Sequence, residues 1–467
     1  MSAASGDGAI ASDPPVRERV VTLRLVALLS ATFAGAYYSN IALVPLGAVL
    51  EHFRTGVALG ALVLGGFAVP LAATTPIASY AGEAIGLTRA LALAVGTVAL
   101  GSVAAALAPS FAVLVAVRVA QGLAAAVIVP AVLILLSSTS SERGRPLALG
   151  MWSSVNSLGR LVAFPVGGLL ASAAGWSAVF WSAVPICGLA TVAIALFVPR
   201  RAVPRQPLDG RTAVWLTLGA ALALGGLTAI STDRTGELVG APLGVAGAAL
   251  LVVAWRRSRR RPGGLVPVEL LSTPTLVRSS VGGFVQMAMI LVDITGVSLF
   301  LVREGRASTA TAGLVALAFP AVMVVASTVA GAAMARIGGR RVFWSGLALL
   351  ATGQVGIAFA LRPGAGVTAL LVVSLGVAGA GAALVQTSSA SGATRPGHRD
   401  GSAAVGIFNL VRFSGTAAGA AWLAIAFSLG ASYRTLFLSA AAVVAAVLVL
   451  TAAFGRRSGA ATKMSLT

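Results

Sequence analysis

The chain has 467 residues, of which 58% are hydrophobic and only 10% are charged. Soluble domains carry about 25% charged residues, so the composition excludes an ordinary globular protein and indicates a membrane protein. The net charge of +20 could suit a nucleic-acid partner, but the arginines form short clusters between apolar windows instead of one basic face. With a single cysteine and two histidines in predicted loops, we expect no disulfide, no metal site and no cofactor.

Apolar windows long enough to cross a bilayer follow one another along most of the chain. We predict a cytoplasmic tail at 1–22, six spans within 23–198, a linker with two extra spans within 199–270, six more spans within 271–455 and a second tail at 456–467. The predicted fold is therefore an all-α integral membrane protein of about 14 spans, with two six-helix bundles and an extra helix pair.

The distribution of basic residues predicts the orientation of these spans. Cytoplasmic loops carry an excess of Lys and Arg, and such an alternation is present if both termini are cytoplasmic. Few basic residues then fall on the outer side, namely Arg54, Arg234, Arg303, Arg306, Arg362 and Arg434. The Arg-rich composition, in which Lys463 is the only lysine, favours a bacterial source and hence the inner membrane.

Three motifs occur in a fixed order in the first half. The fourth predicted span contains R-x-x-Q-G, with Arg118, Gln121 and Gly122. The fifth contains Gly159 and then Phe164-Pro165-Val166-Gly167-Gly168, which is similar to a Pro-Gly-Gly antiporter motif. The loop after the second span has Glu83, Gly86 and Arg89 at positions of a degenerate G-x-L-a-D-r-x-G-r-r motif. Together they resemble the major facilitator superfamily, specifically its fourteen-span drug:proton antiporter branch.

The resemblance implies a proton-coupled transporter, not an enzyme, that exports small amphipathic molecules such as drugs or secondary metabolites by alternating access. Tyr37, Tyr38, Asn40 and Pro45 resemble the family's first-span motif, but Gly35 stands where an acid usually precedes the Asn. This departure disfavours cationic substrates. The expected partners are the substrate, protons and membrane lipid, without nucleic acid, and a monomer is favoured.

Four charged residues fall inside predicted spans: Arg118, Arg160, Asp293 and Arg412. On the insertion scale each costs roughly 2.5–3.5 kcal/mol at the bilayer centre, so they are expected to face one another, water or substrate. Asp293 is the only acid near the middle of a span and can lower its own cost by binding a proton. It is either the coupling carboxylate or one half of an ion pair that fixes helix packing.

The remaining candidates are assigned by helical spacing and by the resemblance. Arg118 and Gln121 share a helix face, and the resemblance implies a proton-relay or cavity role; the alternative for Arg118 is a clamp on neighbouring backbone. For Arg160 a role in lining the cavity is favoured over a role in helix packing. For Arg412 both roles remain possible. The predicted substrate cavity comprises Gln121, Asn156, Arg160, Arg412, Asn409, Asn40 and Tyr37. The predicted gating and structural positions are Glu83, Gly86, Arg89, Pro165, Gly167 and Gly168.

Two other functions remain open at this point. Three arginines against one aspartate inside the spans would also suit a proton-coupled importer of an organic anion. A membrane-embedded enzyme or a lipid-handling scaffold is a further alternative, although no polar catalytic cluster stands out at a span end.

Overall fold

The computed structural model describes residues 14–41, 45–55, 57–199, 210–230, 234–260, 273–305, 307–362, 367–394 and 401–464, and every regular element in these ranges is an α-helix. Parts of the predicted tails and linker (1–13, 200–209, 231–233, 261–272 and 465–467) lie outside the described residues.

The helices form two bundles and one pair. The first bundle comprises α1 (Pro14–Ile41), α2 (Leu46–His52), α3 (Val57–Ile85), α4 (Leu87–Ala106), α5 (Phe111–Ala125), α6 (Ile128–Thr139), α7 (Arg145–Ala174) and α8 (Trp176–Phe197). The extra pair is α9 (Gly210–Ile230) and α10 (Arg234–Arg259). The second bundle comprises α11 (Pro274–Arg303), α12 (Thr309–Ala316), α13 (Ala318–Ile337), α14 (Gly339–Ala360), α15 (Ala369–Ala393), α16 (Gly401–Ser428) and α17 (Tyr433–Met464).

The described residues contain 13 helical segments that are long and apolar enough to cross a membrane. The remaining predicted span coincides with α3, where Leu62–Ala78 forms a shorter apolar stretch. Both terminal helices extend into the predicted tails, because α1 begins at Pro14 and α17 ends at Met464, although their apolar spans are Val21–Ile41 and Tyr433–Ala453. The all-helical membrane fold is therefore confirmed.

Two predicted spans are each divided into two helices, and proline explains both divisions. α5 ends at Ala125 and α6 begins at Ile128, shortly before Pro130. α12 ends at Ala316 and α13 begins at Ala318, shortly before Pro320. Proline has no amide hydrogen to donate to the carbonyl four residues earlier, and its ring crowds that carbonyl, so the helix kinks there.

The two bundles repeat one packing pattern. A Cβ atom at Gly122 in α5 would collide with the Phe67 carbonyl of α3, and one at Gly379 in α15 would collide with the Phe319 carbonyl of α13. Small residues allow such backbone contact between membrane helices. The turns that follow α3 and α13 are also alike, since Gly86 and Gly338 have φ angles of 91° and 85°, which side-chain-bearing residues rarely adopt.

The extra pair packs through glycine and also touches both bundles. A Cβ at Gly219 would lie 2.9 Å from the Leu251 amide nitrogen, so α9 and α10 are in close backbone contact. α9 also packs against α3 of the first bundle and α16 of the second. The pair therefore lies over one of the two lines along which the bundles meet.

The bundles are in close contact at one end, which we call the closed end and define by the contacts of Gly150 with Gly331 and of Arg145 with Ser391. A Cβ at Gly150 would lie 2.8 Å from the Ser327 carbonyl oxygen and 3.0 Å from Gly331 Cα. Arg145 Nη2 donates to the Ser391 carbonyl at 2.8 Å. In the predicted orientation the closed end faces the cytoplasm.

Candidate functional site

A central cavity lies between the bundles. It is lined by α1, α3, α5, α6 and α7 of the first bundle and by α16 of the second, through Thr32, Gly35, Ala36, Ser39, Asn40, Leu71, Ala125, Ile128, Val129, Val132, Trp152, Asn156, Arg160, Arg412 and Phe413. Its volume is about 80 Å³. Drug-sized ligands occupy pockets of roughly 300–1,000 Å³, so the bundles must move apart before such a molecule can enter.

Arg160 and Arg412 approach the cavity from opposite bundles, α7 and α16. Two positive charges that line one cavity repel each other. Arg160 Nη2 lies 4.0 Å from the Met287 sulfur, and Arg412 Nη2 donates to Gln386 Oε1 at 3.3 Å. The Nε and Nη1 atoms of Arg412 are buried without a hydrogen-bond partner in the described part of the chain. The cavity thus contains two cations whose hydrogen-bonding capacity is largely unused.

Aromatic and amide groups surround these cations. The Arg412 guanidinium lies 5.7 Å from the Trp152 ring centre and 5.3 Å from that of Phe413. The Oδ1 atom of Asn156 is buried and unpartnered in the described structure, whereas Asn40 Nδ2 donates to the Ala36 carbonyl at 2.7 Å. Of the residues predicted to form a substrate cavity, Asn40, Asn156, Arg160 and Arg412 line this one.

The other predicted cavity residues lie elsewhere. Tyr37 bonds Ser182 of α8 through its hydroxyl at 2.9 Å, and Asn409 donates to the Val405 carbonyl of its own helix at 3.0 Å. Asn409 is fully buried, and its Oδ1 atom has no partner in the described part of the chain. Neither Tyr37 nor Asn409 is among the residues that line the cavity.

Arg118 and Gln121 meet inside the first bundle, where Tyr38 joins them. Arg118 Nη1 donates to the Tyr38 hydroxyl at 2.5 Å, and that hydroxyl donates to Gln121 Oε1. Arg118 also donates from Nε to the Val63 carbonyl at 3.3 Å and stacks over the Phe67 ring. Arg118 and Gln121 therefore share one helix face, and this face turns toward a buried cluster. The bond from Arg118 to the Val63 carbonyl is the kind of backbone contact that the alternative role of Arg118 predicts.

Asp293 is fully buried within the second bundle. Its Oδ1 atom accepts a hydrogen bond of 2.7 Å from Gln354 Nε2 of α14, while its Oδ2 atom has no partner in the described structure. Its hydrogen-bond partner is therefore a neutral amide instead of one of the buried arginines.

A polar network crosses the interface beside the cavity. Gln386 of α15 donates to Ser153 of α7 at 2.7 Å and accepts from both Gln286 and Arg412. Ser153 also bonds Ser327 of α13 at 2.9 Å. The network links Arg412 in the cavity directly to the contacts of the closed end.

The motif residues are distributed over several helices. Gly86 immediately precedes α4, and Arg89 is exposed in the first turn of that helix. Glu83 lies in α3, and its side chain is outside the described residues. Within α7, Pro165 is exposed, Gly167 is buried and Gly168 is half-buried. In the same helix, a Cβ at Gly159 would lie 2.9 Å from the Phe33 carbonyl oxygen, so this motif brings α7 against α1.

Sequence reasoning missed two residues of the site. Trp152 lines the cavity, and its spacing of four and eight residues from Asn156 and Arg160 places all three on one helix face. Tyr38 was noted only as part of a motif, although its hydroxyl joins Arg118 to Gln121. The four-residue spacing could have identified Trp152, whereas the role of Tyr38 depends on the packing of separate helices.

Sequence comparison relates this chain to known transporters. The sequence model of the Major Facilitator Superfamily matches residues 26–302. Multidrug resistance protein Stp of Mycobacterium tuberculosis is 28% identical over 381 residues, which cover 77% of this chain and 69% of Stp. Methyl viologen resistance protein SmvA of Salmonella typhimurium is 30% identical over 304 residues, which cover 64% of this chain and 59% of SmvA.

Solved structures share the fold. The human organic anion transporter MFSD10 (TETRAN) has a TM-score of 0.64 at 19% identity, with 94% of this chain and 100% of that chain covered. The E. coli fucose:proton symporter FucP has a TM-score of 0.65 at 12% identity, with 93% and 98% covered. At these identities the likeness establishes architecture alone.

Proposed function

Because the chain belongs to the major facilitator superfamily, we propose that it is a secondary transporter that exports small amphipathic molecules, drugs or secondary metabolites, in exchange for protons. The names of relatives support export, since Stp is called a multidrug resistance protein and JefA of Mycobacterium tuberculosis a drug efflux pump. We further propose that it acts as a monomer in the bacterial inner membrane, with both termini in the cytoplasm.

The observation that carries the proposal is the cavity between the bundles. Transporters built from repeated bundles bind substrate where the repeats meet and expose the site alternately to each side. Here both bundles line the cavity, and the contacts of Gly150 with Gly331 and of Ser153 with Ser327 join them at the closed end. In the predicted orientation, these contacts bar the cytoplasmic route and must separate before substrate enters.

Asp293 is the proposed coupling group. A charged carboxylate inside a membrane protein is costly, and binding a proton removes the charge. The unpartnered Oδ2 atom is available to carry that proton while Oδ1 keeps its bond with Gln354. Release of the proton in one state and uptake in the other would then favour opposite directions of the bundle movement.

Flux measurements in inside-out membrane vesicles test the proposal. The lumen is acidified and a library of amphipathic compounds is screened; we expect at least one compound to accumulate in the lumen and to leak out when a protonophore collapses the gradient. Accumulation that requires right-side-out vesicles and an acidic exterior would indicate a proton-coupled importer instead. Transport that is indifferent to the gradient would exclude proton coupling.

A further inference from the structure

We propose that Arg160 and Arg412 form an anion-binding clamp that holds the acidic group of an aromatic organic anion, a carboxylate or a sulfonate, between the two bundles. The inference rests on the proposed function in one respect, namely that substrate occupies the central cavity. It adds the chemical class of that substrate and the two side chains that select it.

The first argument is charge. Both arginines line the cavity, and the described residues that line it include no aspartate or glutamate. Asp293 of α11 is bonded to Gln354 and is absent from the lining. Two like charges that line one cavity repel each other, and one anion placed between them attracts both.

The second argument is hydrogen bonding. Guanidinium groups bind planar anions through two parallel N–H donors, which is the arrangement that suits a carboxylate. Arg412 has unpartnered donors at Nε and Nη1, since Gln386 accepts only from Nη2. For Arg160 the contact partner is the Met287 sulfur, which is a weak acceptor. A bound oxyanion would give both groups the acceptors that the described protein atoms do not supply.

The third argument is the surface around the pair. Trp152 and Phe413 present aromatic rings beside Arg412, and Ile128 and Val129 contribute apolar contacts. A site with a few polar groups in apolar walls selects a ligand with one charged end and an apolar body. An aromatic ring that carries one acidic group matches this description, whereas a quaternary or lipophilic cation would be repelled.

The location of the two arginines couples binding to movement. Arg160 belongs to α7 of the first bundle and Arg412 to α16 of the second. Without an anion their repulsion opposes the approach of the bundles, and with an anion both are attracted to the same group. A bound anion therefore lowers the electrostatic cost of bringing the two bundles together, and Gln386 passes this effect from Arg412 to Ser153 at the interface.

Three probes of equal size test the clamp by direct binding: 2-naphthoate, neutral 2-naphthamide and cationic 2-naphthylmethylammonium. Binding to the full-length protein in lipid nanodiscs is measured by calorimetry. We expect the wild type to bind 2-naphthoate about tenfold or more tightly than 2-naphthamide, because charge-assisted bonds are the stronger ones, and to bind the cation most weakly. Equal affinity for acid and amide would overturn the proposal.

Variants then assign the effect to the two residues. Arg160→Gln and Arg412→Gln should each lose the preference for 2-naphthoate while they retain the affinity for 2-naphthamide. Arg160→Lys and Arg412→Lys should retain part of the preference for 2-naphthoate, because lysine keeps the positive charge. Arg362→Gln, which removes an exposed arginine, is the matched control and should behave as the wild type. Equal losses for acid and amide would assign the arginines to packing and overturn the clamp.

Two further measurements distinguish the clamp from an inorganic-anion site and from the proposed transport function. The first is the affinity for chloride. If the protein binds chloride as tightly as it binds 2-naphthoate, the site holds an inorganic anion and the organic-anion assignment is wrong. Anion-selective binding without proton-driven flux would refute the proposed function and leave the clamp standing. Proton-driven flux of neutral compounds without anion preference would refute the clamp and leave the proposed function standing.

Discussion

Asp293 is the residue at which proton coupling is tested most directly. Asp293→Asn keeps the size of the side chain and the contact with Gln354 but cannot bind or release a proton. In vesicles we expect accumulation driven by a pH gradient to be lost, while exchange of substrate down its own gradient continues. The measurement is uptake of one labelled compound with and without an imposed gradient.

The matched comparison is Glu51→Gln, which removes an exposed acid at the end of α2 and should leave accumulation unchanged. Full proton-driven accumulation in Asp293→Asn would contradict the assignment. Glu51 and Glu304, the acids at the outer ends of the spans, would then be the next candidates.

Tyr38 is the residue on which the buried cluster of the first bundle depends. Tyr38→Phe removes the hydroxyl that accepts from Arg118 and donates to Gln121. A buried polar group that loses its partner costs about 1–3 kcal/mol, so we expect a clearly lower melting temperature in detergent. Tyr433→Phe is the control, because the described contacts of Tyr433 are ring contacts with Phe300 and Phe427. Equal melting temperatures for the two variants would refute the role of Tyr38.

The contact between α7 and α13 is the element-level feature that we expect to hold the closed end shut. Gly331→Ala would place a Cβ 2.7 Å from the Pro146 carbonyl oxygen, so the two helices must separate. We expect the closed end to open more often. A cysteine introduced at Ser39 in a Cys187→Ala background should then react faster with a membrane-impermeant maleimide applied from the cytoplasmic side.

Gly188→Ala is the control for this experiment, since a Cβ at Gly188 meets no atom within 4 Å. It should leave the rate of labelling unchanged. If Gly331→Ala labels no faster than this control, the α7–α13 contact does not hold the closed end shut.

The bounds of the helices show which structural features the sequence patterns predicted and which they did not. Apolar windows and basic loops predicted the spans because bilayer thickness imposes their length. The divisions before Pro130 and Pro320 were also visible in principle, since each proline removes one helical hydrogen bond. The predictions nevertheless treated each as one continuous span, because hydropathy does not register the loss of a single bond.

Topology is the prediction that belongs to the whole molecule. Cysteines introduced next to Arg257 at the end of α10 should be labelled only from the cytoplasm, and those next to Arg234 at its start only from outside, because basic clusters stay on the cytoplasmic side. Labelling of both positions from the same side would remove the extra helix pair from the membrane and refute the fourteen-span topology.

At this scale the sequence was informative about family and less so about the site. The motifs around Arg118 and Pro165 indicated the superfamily, and the match over residues 26–302 confirmed it. The sequence analysis assigned Arg160 and Arg412 to one cavity, but the residues that accompany them there, such as Trp152 and Phe413, depend on how two bundles face each other. For the same reason, helical spacing placed Arg118 and Gln121 on one face but could not say that this face turns toward Tyr38.

The position of α9 determines how a compound dissolved in lipid can reach the cavity. α9 lies along both α3 and α16, so the seam between those helices is shielded from the acyl chains. Along the other seam, α15 packs against both α7 and α13. Amphipathic molecules that partition into the bilayer would therefore have to reach the cavity by a route other than the seam that α9 covers.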